Sequence, residues 1–171
     1  MSNVLFVADL HLGHKTASRQ AAECGKYRGG PSVEEHDEWV IDTCLAAGPT
    51  KRTVWWLLGD VAMEVANLAL LDRLPGRKML VLGNHDRFDS QVYLKHVERL
   101  EGIVKKYGFW LSHAPIHPDE LRGKPNIHGH CHRGLVDSQG RYLNVAIEWL
   151  PEDRPVTLEE AREYFARSSE V

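Results

Sequence analysis

Six short apolar runs punctuate the chain, each breaking off into polar residues: "NVLFVADLH", "TVWWLLGD", "KMLVLGNHD", "GFWLSHAP", "PNIHGHCH" and "YLNVAIEWL". They are rich in β-branched and aliphatic residues and bounded by turn formers, which predicts buried strands. Five of the six run into Asp, Asn or His, and in open α/β architectures ligands gather just beyond the strand ends. Between the runs lie amphipathic stretches with start and stop signals. Ser32 precedes "VEEHDEWVIDTCLAAGP", with Glu35 completing a capping box and Gly48-Pro49 stopping the helix. A second helix is predicted over much of "EVANLALLDRL", a third over much of "DSQVYLKHVERL", and a fourth over "LEEAREYFAR" behind a Thr157/Glu160 capping box. The glycine-rich "ECGKYRGGPS" reads as an exposed loop near the strand-end face.

This order of elements predicts an α/β (α+β) fold. With 171 residues, no internal repeat and no linker, the whole of 1–171 is expected to form one domain with one core. The apolar fraction of 43% and charged fraction of 26% are ordinary for a globular chain. No run approaches the roughly 18 apolar residues that a membrane crossing requires, and the N-terminus lacks a basic leader. The expectation is a cytoplasmic protein with no membrane partner. Cys24, Cys44 and Cys131 form no C-x-x-C pair, so reduced thiols are expected rather than disulfides or a zinc ribbon. A formal charge of −3 argues against a broad basic face for gripping nucleic acid, so phosphate affinity is expected to be local. Ten histidines are the outlier.

Those histidines collect at the ends of the apolar runs. Asp9-Leu10-His11 closes the first and His130-Cys131-His132 the fifth. In extended backbone, residues two apart share a side, so each pair is expected to reach one ion. Gly59-Asp60 follows "VWWLL", Gly83-Asn84-His85-Asp86 follows "MLVL", and His113 follows "FWLS"; glycine at a strand end permits close backbone approach. Oxygen and imidazole donors mixed in this way suit Mn²⁺, Fe²⁺, Zn²⁺ or Ni²⁺ rather than Ca²⁺.

The ordered set D-x-H, G-D, G-N-H-D, H and G-H-x-H, spanning residues 9 to 132, resembles the calcineurin-like metallophosphoesterases, in particular their small bacterial and phage members. The resemblance implies a two-sheet β sandwich flanked by helices, holding two divalent ions. Mn²⁺ is expected first, with Ni²⁺, Fe²⁺, Zn²⁺ and Mg²⁺ as alternatives. It also implies that Asp9, His11 and His132 hold one ion, that Asn84, His113 and His130 hold the other, and that Asp60 bridges them. Hydrolysis of a phosphodiester or phosphomonoester by a metal-bridging hydroxide would follow, with His85 protonating the leaving oxygen or stabilising its charge. The substrate class is then a phosphate ester, nucleotides and nucleic acid among the candidates. Where the family's phosphatases carry a second aspartate to orient that histidine, "GDVAM" has Met63, leaving Asp86 or Glu64 to take its place.

Other polar residues divide between site and structure. His14 is placed either on substrate phosphate or as a loop cap, and His128 behind the site. His36 and His96 fall in predicted helices, and His117 on a solvated turn. Trp55 and Trp56 read as packing rather than base stacking, and Lys15, Arg19, Lys26 and Arg28 as a small phosphate-friendly patch or a solvated loop. A catalytically weak, protein-recruiting scaffold of the same fold is the competing reading. It sits poorly with a chain that keeps His85 and all seven expected ligands.

Overall fold

A computed structural model of the chain describes residues 3–15, 29–134, 136 and 140–167. The apolar runs form strands β1 (Val4–Val7), β2 (Val54–Leu57), β3 (Arg77–Val81), β6 (Phe109–Leu111), β7 (Asn126–His128) and β8 (Tyr142–Asn144). Three further strands carry too little apolar pattern to be predicted: β4 (Arg99–Glu101), β5 (Val104–Lys106) and β9 (Val156–Thr157). The first sheet has the order β4-β3-β2-β1-β9 and the second β5-β6-β7-β8. β1 to β4 run parallel with β9 antiparallel at one edge, and β6 to β8 run parallel with β5 antiparallel. Two sheets with flanking helices are the α/β architecture expected from the sequence.

Helix α1 (Val33–Leu45) starts as predicted, with Glu35 N–H donating to Ser32 Oγ and Ser32 N–H to Glu35 Oε2 at 3.1 Å each. Two helical expectations are corrected. "EVANLALLDRL" forms a 3-10 helix, Val65–Arg73, burying only Leu68 and Leu71. "DSQVYLKHVERL" gives only one turn, α2 (Ser90–Tyr93), before the chain extends into β4. There Glu98 N–H donates to Lys78 O at 2.8 Å, so pairing with β3 outweighs a weak helical pattern. Of the "ECGKYRGGPS" loop, residues up to 28 lie outside the described set, as do Arg19, Lys26 and Arg28 of the basic patch.

Both tryptophans are core residues. Trp55 is fully buried and its indole N–H donates to Pro75 O at 2.8 Å, while Trp56, on the opposite face of β2, reaches Tyr107 Oη at 3.4 Å. All of β1 is buried, in one apolar cluster with Leu57, Leu80, Leu111 and Ile127 from other strands and Val40 and Ile41 from α1. Each such aliphatic side chain contributes about 1.5–3 kcal/mol by leaving water. Helix α3 (Leu158–Arg167) packs near β9 and β1 and sends Phe165 to Phe109 of the second sheet, ring centroids 5.2 Å apart. No helix among the described residues is long and apolar enough to cross a membrane.

The α3 entry carries its own electrostatic lock. Arg154 donates to both oxygens of Glu160, at 2.6 and 3.2 Å, and Thr157 N–H donates to the same carboxylate at 2.8 Å. These bonds, Arg154 first, hold the Glu160 carboxyl down to about 2, from an ordinary value of 4.5. A depressed folded-state pKa means stability present above the unfolded value and lost as pH falls through the folded one. Glu160→Gln is therefore expected to lower the melting temperature near about pH 7, with the gap to wild type closing as pH drops from 4.5 toward about 2. Parallel thermal melts across that range check it, and a gap constant with pH would assign the loss to packing instead.

Candidate metal centre

Five parallel strands, β1, β2, β3, β6 and β7, deliver the predicted residues at or just past their C-terminal ends. Backbone hydrogen bonds continue beyond the strands. Leu58 N–H donates to Val7 O, Asp9 to Gly59 O, His11 to Asp60 O and Leu12 to Val61 O, all at 2.8–3.0 Å, zipping segment 8–12 onto segment 58–63. The second sheet joins the first at the same level, with Ala8 N–H donating to Val145 O at 2.9 Å and Ile147 N–H to Ala8 O at 3.0 Å.

The expectation that Asp9/His11 and His130/His132 pair through extended backbone is corrected. β1 stops at Val7 and β7 at His128. Beyond them Asp9, His11, Asp60 and His130 all take left-handed backbone, with φ of 59°, 48°, 53° and 68°. Asp and His are among the residues that enter this region most readily, yet strained backbone costs on the order of 1–3 kcal/mol per residue and persists only where the surroundings over-determine it. The zipper supplies that for the first three. For His130 it is the bond from its N–H to Asp9 Oδ2, at 2.7 Å. Convergence of the side chains thus comes from coiled strand ends, not from the two-residue repeat of a strand.

The converging atoms form two sets. In the first, His11 Nε2 lies 3.7 Å and His132 Nε2 3.5 Å from Asp9 Oδ1. In the second, His113 Nε2 lies 3.0 Å from Asn84 Oδ1 and 3.2 Å from His130 Nδ1. Asp60 Oδ2 stands between them, 3.8 Å from His11 Nε2 and 3.3 Å from His113 Nε2. Donors bound at about 2.0–2.2 Å around one ion sit about 3.0–3.5 Å apart; the contacts of His132 and His113 fall in that range, and those of His11, at 3.7 and 3.8 Å, lie just beyond it. Asp9, His11 and His132, and likewise Asp9, Asp60 and His113, are groups able to hold a metal ion.

Electrostatics point the same way. Asp9 and Asp60 are 0% and 2% exposed, and burial alone would push their carboxyls up. Histidines reverse this: His11, His113 and His132 hold Asp9 below the carboxylate range, while His113, the His85 N–H and His11 bring Asp60 to about 2. Burial would lower His113, but Asp60 and Asp9 raise it to about 9, and its Nδ1–H donates to Leu58 O at 2.8 Å. The two buried carboxylates thus favour the protonated form of His113.

The remaining predicted residues fall around this centre. His85, with its side chain 39% exposed, places Nε2 4.0 Å from Asp60 Oδ2, and its N–H donates to Asp60 Oδ1 at 2.8 Å. His14 sets its ring edge-on to His11, 5.6 Å between centroids, beside a cavity of about 270 Å³ lined with Gly13, Lys15, Met63 and Glu64. Lys15 makes a 3.9 Å ion pair with Glu64 at the surface. His128 is buried behind the site, donating from Nδ1 to Gly129 O at 2.7 Å. Asp86 has a different task from orienting His85: its carboxylate accepts the N–H groups of Asp60 and Gly83 at 2.8 Å and of Val61 at 3.1 Å. It clamps the β2 and β3 loops together. Gly83 belongs to the same clamp, since a Cβ there would strike the Asp60 carboxylate.

Two residues escaped the sequence reading. Asp37 of α1 is buried and accepts Gly13 N–H at 2.8 Å and Asn67 Nδ2–H at 2.8 Å, fixing the turn that presents His14. Within "EEHDEW" nothing marks it as buried. Glu148, in the 3-10 turn Ile147–Trp149, accepts from His132 Nδ1. A lone acid inside the apolar "NVAIEWL" was the available signal.

No family model matches the chain. It is 31% identical to the Gene 66 protein of Mycobacterium phage L5, over 86% of this chain and 87% of that one. It is 37% identical to the Gene 66 protein of Mycobacterium phage D29, over 86% and 89%. The chain belongs to this family of phage Gene 66 proteins. Among solved structures, the protein of unknown function AQ665 from Aquifex aeolicus shares the fold, with a TM-score of 0.70 over 95% of this chain and 99% of that one at 23% identity.

Asp86→Asn isolates the clamp. An amide offers one acceptor oxygen and turns an NH₂ toward N–H groups, and each orphaned donor costs about 1–3 kcal/mol. The metal-free variant is expected to melt several degrees below wild type, at roughly 2–4 °C per kcal/mol. Calorimetry without metal reads this directly; an unchanged melting temperature would show that the two loops hold their places without the clamp.

Proposed function

We propose that the protein is a phosphoesterase built around two divalent metal ions, of the calcineurin-like metallophosphoesterase type, with 1–171 as one catalytic domain. Asp9, His11 and His132 would hold one ion, Asn84, His113 and His130 the other, with Asp60 shared between them. The observation that carries this is the position of Asp60 Oδ2, within 3.8 Å of a donor from each set, while Asp60 Oδ1 is tied to the His85 N–H. One oxygen of a fixed carboxylate is left to serve both.

Two bound divalent ions, Mn²⁺ first among them, would supply an activated water and positive charge opposite the phosphoryl oxygens. The chain does the rest. Asp9 Oδ2 is pinned by the His130 N–H, so its other oxygen faces His11 and His132. The Nδ1–H of His113 donates to Leu58 O, which commits Nε2 to the centre. His85, half-exposed at the rim, is placed to hand a proton to a leaving oxygen. The open hollow beside His14 leaves room for a second substituent on the phosphate, which suits phosphodiesters ahead of monoesters. Nucleotides and nucleic acid belong to this class, reached through the centre itself and not through a basic face.

Metal content and hydrolysis of a chromogenic phosphodiester, compared with its monoester, test the assignment. Asp60→Asn is expected to lose bound metal and activity together; full metal content with unchanged turnover would remove the bridge. His85→Ala is expected to keep its metal and lose roughly 10²–10⁴-fold in turnover, the usual contribution of a positioned acid. That loss should shrink as the leaving group improves. Metal loss on His85→Ala would make this imidazole a ligand instead.

A further inference from the structure

The two sets of donors are backed differently. The ring of His113 leans on a backbone carbonyl, Leu58 O at 2.8 Å. The ring of His132 leans on the buried carboxylate of Glu148, through His132 Nδ1 and Glu148 Oε1. Trp149, the next residue, donates from its indole Nε1 to His132 O at 3.1 Å, so one short turn grips both ends of His132. Glu148 is 3% exposed. A carboxylate is seldom buried so deeply without a charged or strongly donating partner, because desolvation opposes it.

We propose that Glu148 is a positioning residue for the metal centre: it fixes the tautomer of His132 with Nε2 directed at Asp9 Oδ1 and makes that nitrogen the stronger donor of the two sets. A carboxylate hydrogen-bonded to the far nitrogen of an imidazole ligand stabilises positive charge on the ring, and such partners are typically worth 10–100-fold in metal affinity. A neutral carbonyl behind His113 orients without adding charge. The centre is therefore asymmetric, and the Asp9/His11/His132 set owes its affinity to a residue that touches no ion. The inference rests on the two-metal reading, because only a cation at His132 Nε2 gives the carboxylate this function.

Metal-free wild type, Glu148→Gln, His132→Ala and the double variant are titrated with Mn²⁺ against a competing chelator, with bound metal counted. Melting of each metal-free protein is read in parallel. Glutamine keeps the shape and an acceptor oxygen but removes the charge. The expected result is two equivalents in wild type and, in Glu148→Gln, one equivalent weakened roughly 10–100-fold, with the metal-free melting temperature little changed. The double variant should bind no more weakly than His132→Ala alone, since Glu148 acts through that ring. Wild-type affinity in a folded Glu148→Gln protein, or losses that add in the double variant, would overturn the proposal while leaving the two-metal reading intact. Wild type that takes up no metal would sink that reading, and this one with it. Should the glutamine variant fail to fold, Glu148→Asp keeps the charge but withdraws it by one methylene; wild-type affinity there would equally refute the role.

Discussion

Two carboxylates, Asp9 and Asp60, lie out of water within reach of one another's histidine partners, and much of the molecule is arranged to make that tolerable. Bringing ionised groups into a protein interior costs several kcal/mol each unless opposite charge and hydrogen-bond donors come with them. Here the donors are backbone N–H groups, His130 for Asp9 and His85 for Asp60, and the opposite charge comes from the surrounding imidazoles. Four left-handed residues, a half-buried clamp at Asp86 and a buried partner at Glu148 accompany them. None of these would be retained by packing alone.

The scaffold meets the requirement by carrying hydrogen-bonded pairing past the strand ends. Loops are ordinarily the mobile part of a fold. These are fastened on several sides, by the zipper between segments 8–12 and 58–63, by Asp86 between the β2 and β3 loops, and by Asp37 beneath Gly13. Rigid placement holds short side chains such as Asp9, Asp60 and Asn84 in fixed positions, which a metal-binding group needs because its donors must be held close to their bound geometry.

Much of this was legible in the sequence, for definite reasons. Apolar runs ending in polar residues located six strands and the rim, since a buried strand needs continuous apolar character and a ligand site needs its interruption. The capping boxes at Ser32 and Thr157 are local in sequence and were readable for that reason. β4 and β5 were not, because edge strands of three residues with exposed Arg and Lys carry no alternation. Asp9 and His11, and His130 and His132, do not meet through extended backbone as their spacing suggests: the chain coils at Asp9 and His130. Asp37 was invisible because a buried acid is defined by its partners, here 24 positions away in sequence, and Glu148 showed only as a lone acid in an apolar run, its partner 16 positions away.

The distribution of donors between the sheets adds a last constraint. Asp9 and His11 follow β1 of the first sheet, while their companion His132 lies beyond β7 of the second. Asn84 follows β3 of the first sheet, while His113 and His130 belong to the second. Neither set can be completed from one sheet. Without metal, the sheets meet at this level through the Ala8 backbone bonds, the Asp9–His130 bond and imidazole–carboxylate pairs. A cation in either set adds a bond across the same seam, and because that full set is assembled only in the folded chain, its binding free energy also adds to the free energy of folding. The donor atoms and the atoms that join the sheets are here the same, so a change that loosens the seam also spreads the donors.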